Sequence, residues 1–420
     1  MKKVSKHILI FYSFLLLLLV SLYSAAQGPS AEPRSIISNI DSTRNKIKYI
    51  DNGFENASPF NWEIDSSGNI VISLVYDHER ASLNRANQHW HFMIEAVPGS
   101  DLSVIIRNFD NLWNGQKAYP ISDKTPCYVS LDGKNWNLIK TELLSDNSLK
   151  FQVHLSQDKI FIASLEPYRI SDLEKFLSGI KSNRSVEIKK IGNTSKGRPL
   201  EIVRIGNPNA PHSILLRARA HGFEVGGNWV VQGLVKSLLE KDAAPYLEKY
   251  CVYILPMANK DAVALGRTRF NAQGMDLNRN WDKPSNPAVS PENYALEKWI
   301  KEMIAKGKKP DLAIDLHNDR EGNLHFSHAD ANNKGYIENT QLFESLLYKY
   351  TWFTEGRKKE EFRNPGTIGE GLLQRYAMNA FIFELNFEWS AGLKKVPCAT
   401  DWELLGSELR KVFMEYFNKK

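Results

Sequence analysis

The sequence predicts an α/β domain with a largely parallel mixed sheet, preceded by an all-β sandwich domain. In the second half of the chain, apolar strands alternate with amphipathic helices, which is typical of a buried sheet covered by helices. In the first half, short β-branched and aromatic runs are separated by turn residues, which is typical of a sandwich. The chain has 420 residues, more than one hydrophobic core usually holds, so two domains are expected.

The chain begins with the features of an export signal. Three lysines within the first six residues precede an apolar run over residues 8–23, and Ser24-Ala25-Ala26 offers small residues for cleavage. We therefore expect residues 1–26 to be removed and the protein to be periplasmic or secreted. If the leader is not cleaved it would anchor the protein in a membrane, although the run is shorter than the roughly 20 residues of a usual span.

Charge and cysteine content exclude some classes of protein. The formal net charge is +6, and three of the positive charges belong to the leader. The small remainder is spread evenly, so we expect no nucleic-acid partner. The three cysteines, Cys127, Cys251 and Cys398, are scattered and odd in number. They predict neither a disulfide framework nor a zinc finger.

After an N-terminal extension at 27–45, residues 46–168 are predicted to form the sandwich. Turn residues such as Asp132-Gly133 separate the apolar runs, and no helical period competes with them. The predicted strands are residues 70–76, 90–95, 102–106, 128–131, 151–155 and 160–163.

Residues 169–420 are predicted to form the α/β domain, entered through a helix near residues 168–177. The predicted strands are residues 200–205, 214–220, 250–255, 312–316 and 381–385, and the predicted helices are residues 225–241, 292–304, 341–350, 369–376 and 403–417. Functional side chains are expected at strand ends, where α/β enzymes keep their sites.

The first candidate site is Ala220-His221-Gly222-Phe223-Glu224, directly after an apolar strand. An imidazole and a carboxylate three residues apart across a strand-to-helix turn can both reach one ion, and zinc accepts both types of ligand. The alternative is that Glu224 only stabilises the N-terminus of the following helix.

The second candidate is His317, which ends an apolar strand and precedes a polar loop. Two histidines and one glutamate leave a fourth position for water, as in catalytic zinc sites. The alternative is a hydrogen-bonded histidine in a turn.

The third candidate is Glu384, inside the apolar run Phe381-Ile382-Phe383-Glu384-Leu385-Asn386. A buried carboxylate is costly unless it has a partner. Burial also raises its pKa, which suits a general base acting on metal-activated water. The alternative is a structural pair with an arginine.

These motifs occur in one order along the chain: HxxE at 221–224, RxNxxGxDLNRNW at 269–281, His317, and FxFELN at 381–386. In this order they resemble the M14 family of zinc carboxypeptidases. Residues 151–177 also resemble the end of the β-sandwich that precedes the catalytic domain in the cytosolic carboxypeptidases of this family. The two resemblances together cover nearly all of the chain after the leader.

The resemblance implies a three-layer α/β/α zinc-carboxypeptidase fold with one Zn²⁺ per chain. His221, Glu224 and His317 would hold the zinc. Asp276 would accept a hydrogen bond from His221 and so orient its ring, as metal-binding imidazoles usually require.

The resemblance also implies the substrate-binding and catalytic residues. Asn278 and Arg279 would bind the C-terminal carboxylate of a peptide substrate. Arg269 would polarise the scissile carbonyl, with Arg267 as the weaker alternative because Arg269 stands at the spacing of the cytosolic branch. Glu384 would act as the general base on zinc-activated water and return the proton to the leaving amine.

The chain departs from the family pattern at several points. The mobile tyrosine of the pancreatic branch has no clear counterpart, since Tyr376 lies too near the catalytic strand. Asn386 stands where that branch has arginine, and Arg375 or Arg363 could instead favour acidic side chains. The export signal also differs from the cytosolic branch, so intracellular targets such as tubulin tails are not carried over.

Four further histidines lie outside these motifs. His89 and His91 flank Trp90 at strand spacing, and we expect an exposed strand face there rather than a metal pair. His325 and His328 follow the third predicted ligand and could line the rim of a cleft.

The function expected is therefore hydrolysis of the C-terminal peptide bond of peptides with a free carboxylate. Three alternatives stay open at this point. One is a deacylase of N-acyl amino acids similar to aspartoacylase, which shares HGxE and DLNR motifs, and another is a peptidase acting on cell-wall stem peptides. The last is a binding protein with an inactive enzyme fold, against which the intact set of ligands, base and arginines weighs.

Overall fold

The structure, a computed structural model, describes residues 34–327, 333–357 and 366–419. The predicted signal peptide, His328 and Arg363 lie outside these residues. No helix within the described ranges has the length and apolar character needed to cross a membrane.

The first half of the described chain is almost entirely β-structure after one helix. Its elements are α1 (Arg34–Lys46), β1 (Ile47–Asp51), β2 (Phe60–Ile64), β3 (Ile70–Leu74), β4 (Asp77–His78), β5 (Arg85–Ala86), β6 (His91–Ala96), β7 (Ser100–Arg107), β8 (Asn111–Trp113), β9 (Gln116–Ala118), β10 (Cys127–Ser130), β11 (Asn137–Ile139), β12 (Glu142–Leu143), β13 (Leu149–Leu155) and β14 (Lys159–Ala163).

Two five-stranded sheets, counted over the described residues, make the sandwich. Their strand orders are β1-β6-β14-β10-β11 and β12-β13-β7-β3-β2. Strand β7 shows why they pack: Leu102, Val104 and Ile106 alternate with less buried residues and bury one face. The predicted β-rich N-terminal region is confirmed. The short strands β4, β5, β8 and β9 form a separate small sheet that the sequence analysis did not predict.

The second half alternates helices and strands, as expected. Its elements are α2 (Ile170–Ile180), β15 (Val186–Asn193), β16 (Pro199–Ile205), β17 (His212–Ala218), α3 (Gly226–Leu238), a 3-10 turn (Lys241–Ala243), α4 (Ala244–Lys249), β18 (Tyr250–Leu255), α5 (Lys260–Ala264), α6 (Pro291–Ala305), β19 (Leu312–Asp319), β20 (Leu324–His325), α7 (Lys334–Tyr350), α8 (Ile368–Tyr376), β21 (Asn379–Asn386) and α9 (Ala399–Asn418).

The strands of this half form one sheet in the order β15-β16-β18-β17-β19-β21-β20. The central neighbours β18, β17, β19 and β21 are parallel, and the outer pairs β15-β16, β16-β18 and β20-β21 are antiparallel. The predicted mixed sheet is therefore confirmed, with its parallel part at the centre.

Both faces of the sheet are covered by helices, because its central strands carry apolar residues on both sides. In β17, Ile214 and Leu216 pack in the core on one face, and Leu215 packs in the core on the other. Helices α2, α3, α7 and α9 contribute to the first core, and α6 and α8 to the second. This is the expected three-layer arrangement.

The expectation of an exposed face at His89 and His91 is wrong. The two residues are buried, with 5% and 2% of their surface exposed. His89 Nε2 lies 3.0 Å from the backbone oxygen of Asn56, and His91 Nδ1 lies 3.3 Å from Asn56 Oδ1. Asn56 itself donates to the carbonyl oxygen of Val263 at 3.0 Å, so this buried cluster also joins the sandwich to the α/β half.

Candidate active site

Three side chains from neighbouring parallel strands converge on one point. His221 and Glu224 lie between the end of β17 and the start of α3, and His317 lies in β19, which pairs with β17. One ligand atom from each lies within 4.8 Å of the others, and all three residues are at least 97% buried. Parallel strands end at the same edge of the sheet, which explains why the sequence brings these residues together.

The hydrogen bonds of the two imidazoles fit a metal ion. His221 Nε2 lies 3.0 Å from Asp276 Oδ1, and His317 Nε2 lies 2.5 Å from Asp315 Oδ2. Because carboxylates accept, each ring donates from Nε2 and directs Nδ1 inward, where its lone pair can bind a metal ion when it is not protonated.

Both inward nitrogens face the carboxylate of Glu224, at 2.7 Å from His221 Nδ1 and 2.8 Å from His317 Nδ1. At this distance a proton or a metal cation must lie between each nitrogen and the carboxylate, since two lone pairs would repel. Two imidazoles and one carboxylate are also the donor set of catalytic zinc sites. His221, Glu224 and His317 therefore fit a zinc ion.

The charges around the cluster are consistent with this assignment. Burial opposes ionisation of Glu224, but the positive charge of protonated imidazoles at His221 and His317 outweighs burial and lowers the pKa of that carboxyl. A metal cation at the same place would supply positive charge instead of these protons. Burial likewise opposes ionisation of Asp276, and Arg269 and His221 overcome it, which holds the Asp276 pKa well below its usual range. The site therefore keeps both carboxylates ionised at neutral pH.

Asp315 is held in turn by a buried arginine. Arg217 Nε lies 2.7 Å from Asp315 Oδ1, and Arg217 Nη2 lies 2.5 Å from Asp315 Oδ2. The two residues are directly opposite each other in the pairing of β17 with β19. Both are almost fully buried, so a two-pronged ion pair fixes the carboxylate that orients His317.

Glu384 lies beside this cluster on the next strand. In the pairing of β19 with β21 it is directly opposite His317. Glu384 is partly buried and lines the same cavity as His221 and Glu224. Burial raises the pKa of its carboxyl well above the usual range. A carboxyl with a raised pKa is a stronger base once it is ionised, which suits a group that takes and returns a proton.

Polar and cationic side chains of the segment 269–281 lie on the same cleft. Arg269 forms a salt bridge with Asp276, with Nη2 2.7 Å from Oδ2. Asn278 Oδ1 accepts from the backbone N–H of Ile368 at 3.0 Å, which fixes the orientation of the amide. Arg279 Nη1 donates to the carbonyl oxygen of Asn278 at 2.8 Å.

One cavity of about 290 Å³ joins these groups. Its walls include His221 and Glu224 of the cluster, Glu384 at its side, and Arg269, Asn278 and Arg279 of the following segment. The sandwich contributes to the same wall through Gln88 and Pro120. A cavity of this composition can hold a small polar or charged group next to a metal ion.

The other candidates fall into two groups. His325 lines the cleft, as expected. Arg375 instead pairs with Glu297 behind helix α8, and Tyr376 donates to the same carboxylate. Both are therefore held away from the cleft. Asn386 donates to the backbone oxygens of Glu321 and Trp389, which leaves its amide group engaged in loop structure.

Sequence reasoning missed Asp315 and Arg217. The signal for Asp315 was present, because residues two apart on a strand share a face and Asp315-Leu316-His317 therefore places the carboxylate beside the imidazole. Arg217 could not be assigned from sequence, since its partner depends on the register between β17 and β19.

Comparison with known proteins identifies the class to which this fold and site belong. Residues 173–387 match the Peptidase_M14 family of zinc carboxypeptidases. This match spans just over half of the chain, and the protein belongs to that family.

Relatives and solved structures agree with this assignment. The chain is 24% identical to mouse cytosolic carboxypeptidase 3 over 359 residues, covering 76% of this chain and 35% of that protein. It is 26% identical to human cytosolic carboxypeptidase 2 over 215 residues, covering 47% of this chain and 23% of that protein. The chain thus spans about a third or less of the length of these curated relatives.

Two solved bacterial structures share the fold. A metallo-carboxypeptidase from Burkholderia cenocepacia superposes with a TM-score of 0.77 at 20% identity, covering 88% of this chain and 99% of that one. A metallo-carboxypeptidase from Pseudomonas aeruginosa, in complex with (2-guanidinoethylmercapto)succinic acid, superposes with a TM-score of 0.74 at 22% identity, covering 88% and 100%. The similarity extends over the sandwich as well as the α/β half.

Proposed function

We propose that this protein is a zinc-dependent metallocarboxypeptidase that hydrolyses the C-terminal peptide bond of peptides. One observation carries the proposal. The cavity lined by His221 and Glu224 of the metal-ligand cluster is also lined by Asn278 and Arg279, which suit a free carboxylate. An endopeptidase would have no use for this pair, because its substrate carries an amide at that position.

His221, Glu224 and His317 would hold the zinc, which when bound supplies a Lewis acid for the scissile carbonyl and the attacking water. Glu384 takes a proton from that water and delivers it to the leaving amine. Arg269 lies where a guanidinium stabilises the negative charge that develops on the carbonyl oxygen.

Asn278 and Arg279 bind the terminal carboxylate of the substrate. The amide oxygen of Asn278 is occupied by the backbone N–H of Ile368, so its Nδ2 is the group directed to the ligand. Arg279 adds a positive charge and further N–H donors. Together they set the register of the peptide, so that one residue lies beyond the scissile bond.

We further propose that the protein is exported, on the basis of the basic and apolar leader at residues 1–26. Determination of the N-terminal residue of the protein from a bacterial host tests this proposal. Cleavage after Ala26 supports it, and a retained leader would favour a membrane-anchored form.

Matched peptides test the peptidase proposal. We expect a peptide ending in a carboxylate to be cleaved about 10- to 150-fold more efficiently than the same peptide ending in a carboxamide, because the amide leaves Arg279 without its charge-assisted partner. Arg279→Ala should weaken cleavage of the acid peptide and narrow this ratio. N-acetyl amino acids are assayed beside the acid and amide peptides as a third class of substrate.

Equal cleavage of acid and amide peptides by the wild type would refute the exopeptidase proposal. Activity confined to the N-acetyl amino acids would assign the deacylase alternative instead.

A further inference from the structure

The small sheet of the N-terminal domain lies directly against the segment that carries the substrate-binding arginines. We call residues 267–281 the arginine loop. Asp77 of β4 accepts hydrogen bonds from the backbone N–H groups of Arg269 and Phe270, at 2.7 and 2.8 Å. The hydroxyl oxygen of Thr268 accepts from the backbone N–H of Gln88 at 3.1 Å. The backbone of the loop is therefore fixed by the sandwich domain.

The side chains of the loop rest on one aromatic ring of the same sheet. Trp113, the last residue of β8, has the Cζ of Arg269 at 4.4 Å from its ring centroid and the Cζ of Arg279 at 5.3 Å. Phe270 stacks against the same indole, with centroids 6.5 Å apart and an interplanar angle of 17°. One ring thus contacts the guanidinium groups of Arg269 and Arg279, which both line the cavity.

The position of Trp113 bears on the repulsion between the two arginines. Arg269 and Arg279 carry like charges side by side, and repulsion would tend to drive them apart. Asp276 forms a salt bridge with Arg269, whereas Nη1 of Arg279 donates a hydrogen bond to the backbone oxygen of Asn278. An indole face attracts cations, and tryptophan does so most strongly among the aromatic side chains. A shared ring therefore holds both guanidinium groups without neutralising them.

We propose that Trp113 is a positioning residue for the reaction, supplied by the N-terminal domain, which sets Arg279 for the substrate carboxylate and Arg269 for the scissile carbonyl. This inference rests on the proposed function of the two arginines. It assigns the N-terminal domain a part in catalysis, because the ring that orients the arginines belongs to the small sheet of that domain.

Two substitutions of Trp113 distinguish the contribution of its aromatic ring face from that of apolar packing. Trp113→Leu keeps an apolar side chain against Phe270 but removes the ring face, and Trp113→Phe keeps a smaller ring. We expect kcat/KM for the acid peptide to fall roughly 5- to 50-fold in Trp113→Leu and within about threefold in Trp113→Phe. The ratio of kcat/KM for the acid peptide to kcat/KM for the amide peptide should decrease in Trp113→Leu but not in Trp113→Phe. Trp62→Leu, at a 44% exposed tryptophan of the same domain, is the matched control and should match the wild type.

A second measurement does not depend on peptidase activity. Phenylglyoxal modifies accessible arginines, and mass spectrometry quantifies the rate at each site. In Trp113→Leu we expect Arg279 to be modified several-fold faster than in Trp113→Phe, with zinc content and thermal stability unchanged. If the wild type lacks acid preference, the proposed function fails, while this rate still tests the role of Trp113.

The inference is overturned if Trp113→Leu and Trp113→Phe behave alike in both measurements. It is also overturned if Trp113→Leu lowers cleavage of acid and amide peptides by the same factor and also lowers zinc content or thermal stability. That result would mean that Trp113 contributes only to packing.

Discussion

Asp315 and His317 lie two residues apart on one face of β19, with Asp315 Oδ2 2.5 Å from His317 Nε2. The same carboxylate receives two bonds from Arg217 on the neighbouring strand. The chain Arg217–Asp315–His317 therefore runs from the centre of the sheet to the candidate metal site. His221 has a parallel arrangement through Asp276 and Arg269. Each imidazole is oriented by a carboxylate that an arginine holds in place.

The first prediction concerns these two carboxylates. Asp276→Asn and Asp315→Asn should each lower zinc affinity about 10- to 100-fold, because an amide is a weaker acceptor for the imidazole N–H and leaves an arginine without its counter-charge. Competition with a fluorescent zinc chelator measures the change. Asp101→Asn, at an exposed side chain, is the control, and equal affinity in all four proteins would remove both residues from the metal site.

The second prediction concerns zinc itself. Elemental analysis of the purified protein should find about one zinc per chain, and His317→Ala should lower this content sharply because one of three ligands is lost. A wild-type protein that holds no zinc after reconstitution would contradict the ligand assignment.

The third prediction concerns the general base. Glu384→Gln is nearly isosteric and removes the group that accepts the proton, so turnover should fall by about 10²- to 10⁴-fold. Zinc content and the melting temperature should stay near wild-type values. Full activity in this variant would exclude Glu384 as the base.

The fourth prediction concerns the contact between the two halves. Gly266 has φ +58°, and a Cβ there would lie 2.0 Å from the carbonyl oxygen of Ala57 in the sandwich. Gly266→Ala should therefore destabilise the protein by roughly 3–5 kcal/mol through strain and overlap. Gly307 has φ +67° with nothing within 4 Å of a Cβ, so Gly307→Ala should cost only about 1–2 kcal/mol. Thermal unfolding compares the two, and equal losses would show that the interface tolerates the added atom.

The fifth prediction concerns pH. Burial lowers the pKa of His89 to about 4 and that of His91 to about 3. Both rings are neutral in the folded and unfolded states well above pH 6.5, so they contribute no pH dependence there. Below that pH the unfolded state binds protons first, and stability falls until the pH reaches the folded pKa values.

Each histidine should cost roughly 2 kcal/mol of stability at pH 5. Melting temperatures of zinc-loaded wild type and His91→Gln, measured from pH 7.5 to 5, test this expectation. The variant should be less stable at pH 7.5 and should lose less stability on acidification. Parallel curves for the two proteins would mean that His91 does not contribute to the acid sensitivity.

Patterns local in sequence gave the strands and helices of the α/β half and the motifs of the site. Strands such as β18 are continuous apolar runs, and His221, Glu224 and His317 follow strands that the pattern identified. The separation of these motifs along the chain did not matter, since parallel strands bring their ends to one edge.

What depends on distant partners could not be predicted. Strands β4, β5, β8 and β9 are two or three residues long, too short to show a period of two. The burial of His89 follows from a loop more than thirty residues away, where Asn56 provides its partner. Trp113 gave no signal, because its cationic neighbours lie more than 150 residues later in the sequence. The roles assigned to the site residues and the domain limits stay predictions.

The hydrogen bonds from the backbone of Arg269 and Phe270 to Asp77 limit how the two halves of the chain can be exchanged in a chimeric protein. Transplanting residues 169–420 onto a foreign sandwich would leave two backbone donors of the arginine loop without their acceptor, unless the new partner also offers a carboxylate at that place. A chimera would therefore need an acid in the position of Asp77 before its cleft could form. The catalytic half therefore has to be exchanged together with the N-terminal domain, or with the contact to Asp77 preserved.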